Sequence, residues 1–200
     1  MRWLPKSFVV HQWVVEANKL KLTAINVSLD GMVLHLARQE MVNAYNKMVG
    51  DAAKQGIRLK VLWAFRSSSQ QQQHFEEAQR QHGSRDALQW VAPPGYSEHH
   101  TGWAVDLGDE ADPKADDNPL FERTAAFRWL QMNARRYQFE LSFPKNNWQG
   151  VSYEPWHWRY VGTPEALSTF HPKKLEAVGV WSLSLLKATL CWAKFSNTKK

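Results

Sequence analysis

The 200-residue chain is 44% hydrophobic and 22% charged, a globular composition of a size suited to one domain with a real core. Its formal charge of +6 is uneven: six lysines against one glutamate leave +5 in residues 171–200 and +1 in the preceding 170, so the basic balance gives no warrant for nucleic-acid binding by the body of the chain. The single cysteine, Cys191, excludes an intrachain disulfide and a cysteine-built zinc cluster, and no run of eighteen apolar residues is present to form an ordinary transmembrane helix.

At the N-terminus, Arg2 and Lys6 precede an apolar run from Ser7 to Val15 that His11 and Gln12 interrupt. No small-residue cleavage site follows, so the segment is a poor secretory signal; an N-terminal strand or arm over residues 1–28, packed on the domain, is the expectation. Residues 38–55 read as a helix with Met41, Ala44, Tyr45, Met48, Val49 and Ala52 on its core face and Gly56 as its stop. Ile57, Leu59, Val61, Trp63 and Phe65 alternate as a strand that ends at Arg66. A helix over 69–82 stops at Gly83, and Ser84 is placed to cap a short helix through Val91. Pro93-Pro94-Gly95 makes a rigid approach to a strand over Gly102–Leu107. Residues 109–117 form an acidic loop without EF-hand spacing, with Asp109 and Asp112 expected at a rim. Phe121 to Tyr137 reads as one long helix with Phe121, Ala125, Trp129 and Leu130 inward. Phe139, Leu141 and Phe143 alternate in one strand, and Trp156, Trp158 and Tyr160 in the last. Helices mixed with strands, without a βαβ rhythm, indicate an α+β domain.

Two stretches carry the chemistry: Ser97-Glu98-His99-His100-Thr101-Gly102-Trp103-Ala104-Val105-Asp106 and Glu154-Pro155-Trp156-His157. Two histidines and an aspartate are a three-ligand set for zinc that leaves a fourth position open. A glutamate three residues before the last histidine can accept a proton from water. The seven-residue spacing of His99 and Asp106 suits a loop ligand followed by a strand ligand, with Gly102 permitting the turn. In a regular strand Glu154 and His157 would face opposite sides, so they share a site only if the chain bends, for which Pro155 is a plausible cause.

SEHHTGWAVD fits the pattern SxHxxGxAxD, EPWHWR fits ExWHxR, and the upstream FRSSSQQ resembles (Y/F)RSxxxQ, all in the expected order. Over about residues 29–162 the chain resembles the VanY-type D-alanyl-D-alanine carboxypeptidases, zinc peptidases of bacterial cell walls. The resemblance implies the hedgehog/D-alanyl-D-alanine-peptidase fold, a small mainly antiparallel sheet flanked by helices, over a domain of residues 29–170. It implies one zinc ion on His99, Asp106 and His157, with His100 at a variable position of the pattern and beside the site, and Glu154 as general base. Arg66 would stabilise the oxyanion or hold the scissile carbonyl. Ser97, Ser67 and Gln71 would meet the substrate, Ser97 at its terminal carboxylate; the run of four glutamines leaves Gln70 a rival to Gln71. Phe65 stands where relatives often have Tyr. The implied substrate is the peptidoglycan stem peptide and the implied location the cell envelope or periplasm. An L,D-carboxypeptidase and an endopeptidase share these motifs, and a metal-bearing peptide-binding module is the non-enzymatic alternative. Some of Trp63, Trp103, Trp156 and Trp158 are expected to wall the cleft.

The tail, residues 171–200, lies outside the resemblance. It is apolar from Val178 to Phe195 and flanked by lysines, which suits either a helix packed on the domain or peripheral contact with an anionic membrane. A monomer with no nucleic-acid partner is the expected state.

Overall fold

The computed structural model describes residues 9–27 and 34–171; the expectations for the tail from residue 172 onward lie outside these residues. Strands β1 (Thr23–Val27) and β2 (Leu34–Ala37) form an antiparallel pair. A four-stranded antiparallel sheet holds β3 (Leu59–Trp63), β4 (Ala104–Asp109), β5 (Phe139–Leu141) and β6 (His157–Tyr160) in the order β3-β4-β6-β5. Helices α1 (Gln39–Ala53), α2 (Ser68–His82), α3 (Ala87–Trp90), α4 (Ala125–Asn133) and α5 (Pro164–Phe170) complete an α+β arrangement, as the helix and strand periods predict. Among the described residues no helix is long and apolar enough to cross a membrane.

Helix α1 buries Met41, Tyr45, Met48 and Ala52 as its 3.6-residue period requires, with Val42 added and Ala44 and Val49 packed at the margin. These meet Val105 and Leu107 of β4, Phe121, Leu130 and Phe139 in one core. Each large apolar side chain sequestered there contributes about 1.5–3 kcal/mol before entropy is counted. Strand β4 is buried at all six positions, as a central strand covered on both faces must be.

Of the N-terminal segment expected as a strand or arm, residues 9–22 hold one 3-10 turn and no strand, and β1 follows. Four expectations are corrected. The alternation of β3 breaks at a register shift between Val61 and Trp63, which leaves Trp63 partly exposed and buries Ala64 instead. The short helix after Gly83 begins at Ala87, with no side-chain cap from Ser84. The long helix over Phe121–Tyr137 is three pieces: a 3-10 turn at Pro119–Arg123, α4, and a 3-10 turn at Ala134–Tyr137. The break falls at Thr124, whose extended backbone starts α4 and whose hydroxyl accepts the Phe127 N–H at 3.1 Å. Starting α4 there turns Ala126 inward and leaves Ala125 exposed. Asp109, expected at a rim, is buried: its carboxylate accepts from Ala111 N of the following turn at 2.9 Å and from Ala126 N, a first-turn donor of α4, at 3.2 Å.

Candidate metal centre and cleft

The sheet register builds most of the site. Asp106 on β4 pairs directly with His157 on β6, so the two side chains are cross-strand neighbours on one face. His99 arrives from the other side on a 3-10 turn, Glu98–Thr101, closed by Gly102 in the left-handed region at φ 70°. A side chain at Gly102 would also crowd Leu22 Cδ2 at 3.0 Å and Arg38 Cγ at 3.2 Å, so glycine is required there for both conformation and space.

One ligand atom from each of His99, Asp106 and His157 lies within 4.8 Å of the others. His99 Nε2 is 3.1 Å from one Asp106 oxygen and His157 Nδ1 is 2.9 Å from the other. The ring tautomer of His99 follows from its surroundings. Its Nδ1 lies 2.7 Å from the Ala64 carbonyl, which can only accept, so that nitrogen carries the proton and Nε2 turns a lone pair inward. All three residues are buried. Burial lowers the His99 pKa to about 4 against the opposing pull of Asp106. Burial also disfavours charge on His157, but the hydrogen bonds to Asp106 and Glu98 outweigh it and raise that ring to about 10. Asp106 moves down despite its burial, because His99 and His157 face it. The buried N,N,O donor set, with one carboxylate facing two imidazole rings, fits zinc.

His100, the rival of His99, is not in this group. Its Nδ1 donates to the Arg66 carbonyl at 2.7 Å and its Nε2 accepts from Gly95 N at 3.1 Å. Both nitrogens are thus occupied in tying the turn at Gly95 to the backbone of Arg66.

Glu154 stands beside this three-residue group, 3.9 Å from His157 Nδ1. The difficulty posed by three-residue spacing disappears because β6 begins only at His157. Glu154–Trp156 form a turn around the buried Pro155, closed by His157 N to Glu154 O at 3.2 Å. Burial pushes the Glu154 carboxyl up to about 8 against the pull of His157, with Asp106, Asp117 and Glu98 adding to the rise. A divalent cation alongside would favour the carboxylate and bring it down again.

A cleft of about 1010 Å³ opens over this centre. Arg66 lines it, with its guanidinium 4.9 Å from the Trp63 ring centroid and donating to Gln71 Oε1 at 3.0 Å. Gln71 is fully buried and donates to the Ala92 carbonyl at 2.7 Å, so it holds Arg66 in place; Gln70 is occupied at the helix start. Ser97 lines the cleft, and its hydroxyl has no hydrogen-bond partner among the described residues. Ser67, expected at the substrate, lies elsewhere: it caps α2 in a capping box with Gln70 and is absent from the cleft lining. Of the four tryptophans near the motifs, Trp63 and Trp156 line the cleft, while Trp103 and Trp158 are core.

Two contributors escaped the sequence reading. His11, from the arm, lines the cleft with its Nε2 on the Leu88 carbonyl at 2.7 Å, and the arm is fastened by Val14 N to Gly95 O at 2.9 Å and Ala17 N to His100 O at 2.7 Å. Glu98 is enclosed against His157, Ser142 and Arg159. One face of α2 (Gln70, Gln73, His74, Glu77 and Gln81) extends the cleft for about 16 Å at 1.5 Å per residue.

Residues 34–163 match the family described as VanY, D-alanyl-D-alanine carboxypeptidase. The putative carboxypeptidase YodJ of Bacillus subtilis is 37% identical over 131 residues, 64% of this chain and 48% of that protein. A D-alanyl-D-alanine carboxypeptidase of Enterococcus faecium is 30% identical over 131 residues, 64% of this chain and 38% of that protein. The chain spans about half the length of the curated relatives it matches. Among solved structures, the LD-carboxypeptidase LdcB superposes with TM-score 0.63 at 31% identity, covering 82% of this chain and 74% of that one. A VanY D,D-pentapeptidase variant in complex with Zn(II) superposes with TM-score 0.59 at 26% identity, covering 82% and 92%. With the ordered motifs, the hedgehog-like peptidase fold and a family match over most of its length, this chain belongs to the VanY family of D-alanyl-D-alanine carboxypeptidases.

Proposed function

We propose that this domain is a zinc-dependent carboxypeptidase that removes the terminal D-alanine from peptidoglycan stem peptides at the cell envelope. The observation that carries this is the meeting, in one cleft, of the buried triad His99, Asp106 and His157 with Glu154, Arg66 and Ser97. Relatives named as D-alanyl-D-alanine carboxypeptidases and a VanYB structure in complex with D-Alanine-D-Alanine support the substrate class. The Zn(II) complex of a VanY enzyme supports the metal.

In this reading His99 Nε2, Asp106 and His157 Nδ1 hold the ion. Zinc bound there would polarise the scissile carbonyl and make water acidic enough to attack near neutral pH. Glu154 accepts the proton of the attacking water and returns it to the leaving D-alanine nitrogen. Arg66 offers guanidinium donors to the oxygen on which negative charge develops, and Gln71 keeps it aimed there. Ser97 donates to the terminal carboxylate of the substrate. A binding module has no use for a base enclosed at 3.9 Å from a metal ligand, which favours the enzyme over the non-catalytic alternative.

The likeness to LdcB favours a second reading, in which the D-alanine removed follows an L-configured residue in a tetrapeptide. One experiment tests both. Zinc-loaded protein is given pentapeptide, tetrapeptide and intact sacculi, and the products are read by mass. Loss of one alanine from the pentapeptide supports the first reading and loss from the tetrapeptide alone the second. No release of alanine from any of them overturns the assignment.

A further inference from the structure

We propose that Glu98 is a positioning residue of the metal centre, which accepts a hydrogen bond from Nε2–H of His157 and thereby fixes Nδ1 as the nitrogen offered to zinc. The inference rests on the reading of His157 as a zinc ligand. Glu98 Oε2 lies 3.1 Å from His157 Nε2, the ring nitrogen on the far side from Asp106, while Nδ1 lies 2.9 Å from Asp106. Glu98 therefore stands behind the ring and outside the three-residue metal group.

The carboxylate is itself held. Oε2 accepts from Ser142 Oγ at 2.6 Å, and Oε1 accepts from Arg159 Nη1 at 2.8 Å. Arg159 Nε in turn donates to Glu140 at 2.7 Å, and Glu140 meets His171 Nε2 at 2.6 Å. A carboxylate needed only to neutralise Arg159 would require one oxygen; here the other is placed on the ring. Phe143, tilted against His157 with centroids 5.1 Å apart, limits rotation of the imidazole. A ring cannot present a lone pair at both nitrogens and still bond to Glu98, so an acceptor at Nε2 selects the tautomer with Nδ1 free.

The two histidines are thus oriented by different means: His99 by the neutral carbonyl of Ala64, His157 by an ion. An anionic partner also raises the basicity of the ligand and adds negative charge near the cation, and outer carboxylates of this kind typically govern 10–100-fold in metal affinity. Glu98 should accordingly tune how tightly zinc is held, while Glu154 governs turnover.

The test is zinc affinity, measured by competition with a chromophoric chelator on metal-depleted protein, for the wild type, Glu98→Gln and Ser142→Ala. Glu98→Gln should weaken zinc by about 10–100-fold with unchanged stoichiometry and far-ultraviolet circular dichroism. Ser142→Ala, which leaves the charge on Glu98, should lose less. In parallel, nitrogen-15 spectra of zinc-loaded wild-type protein should show His157 protonated at Nε2; this needs no variant and holds the inference to account if Glu98→Gln fails to fold. Wild-type affinity in a folded Glu98→Gln protein, or a His157 proton found on Nδ1, overturns it. Wild-type protein that binds no zinc overturns the proposed function as well, whereas tight zinc binding without peptide cleavage overturns that function alone.

Discussion

The floor of the cleft and its wall are built on opposite rules. At the floor and behind it, Asp106, His157, Glu98, Arg159 and Glu140 form a largely buried chain of ionisable groups in which each member has a partner. On the wall, Ser97, Gln71, Gln73 and Gln81 are neutral, and the hydroxyl of Ser97 has no hydrogen-bond partner among the described residues. Buried ions tolerate little rearrangement, because removing one leaves its partner desolvated and alone. Neutral groups at a cleft lip tolerate more, because water replaces whatever is lost. The floor should therefore respond to substitution in all-or-none fashion through the metal and the proton, and the wall in graded fashion through substrate affinity.

The largest effect should come from the floor. His157→Ala removes a ligand and leaves Asp106 and Glu98 facing each other without a cation; zinc content, measured by elemental analysis after gel filtration, should fall to background, and turnover with it. Glu154→Gln should separate chemistry from metal binding: zinc stays stoichiometric while kcat falls by about 10²–10⁴, the range for losing a general base. Retention of full activity in Glu154→Gln would remove the basis for the proposed mechanism.

Arg66 lies between the two regions, since its charge belongs with the floor and its anchor, Gln71, with the wall. Arg66→Ala should lower kcat by about 10²–10³, the scale for one oxyanion donor, at unchanged zinc content. Ser97→Ala should behave as a wall residue: KM rises, kcat changes little, and the preference for a free over an amidated substrate C-terminus narrows. A kcat loss in Ser97→Ala as large as that of Arg66→Ala would erase the distinction between wall and floor at that position.

How well each region could be read from the sequence follows the same division. His99, Asp106, His157 and Glu154 lie in two short segments, so spacing and residue type suffice to name them. Their assembly depends on the β4–β6 register, which no local pattern encodes. Glu98 lies within the first segment but is not legible there, because its partner His157 is 59 residues away and its position in the pattern is variable; an acid directly before two histidines is the signal the sequence offers. His11 meets its partner carbonyl 77 residues on, from an arm that precedes the matched region. The break at Thr124 was readable in principle, since Pro119 and a hydroxyl residue ahead of an apolar run mark a helix start. A regular apolar period through Phe121–Tyr137 hid it.

Ser67 gives the smallest effect and the sharpest contrast between motif and geometry. It occupies a motif position that suggests substrate contact, yet its hydroxyl accepts the Gln70 N–H at 3.3 Å and the Gln70 side chain answers by accepting the Ser67 N–H at 3.0 Å. The arm adds to the same helix start, with Glu16 Oε2 accepting from Ser68 N at 3.0 Å and so placing a carboxylate at the positive end of α2. Ser67→Ala should therefore cost about 0.5–2 kcal/mol of stability, read as a lowered midpoint in urea at constant m-value, the usual cost of losing an N-cap. Because α2 carries Gln71, and Gln71 holds Arg66, fraying of its first turn should reach catalysis only as the loss of stability does. At temperatures well below the midpoint, KM and kcat should match the wild type. A raised KM in Ser67→Ala under those conditions would return this serine to the substrate, and would mean that the first turn of α2 opens when peptide enters the cleft.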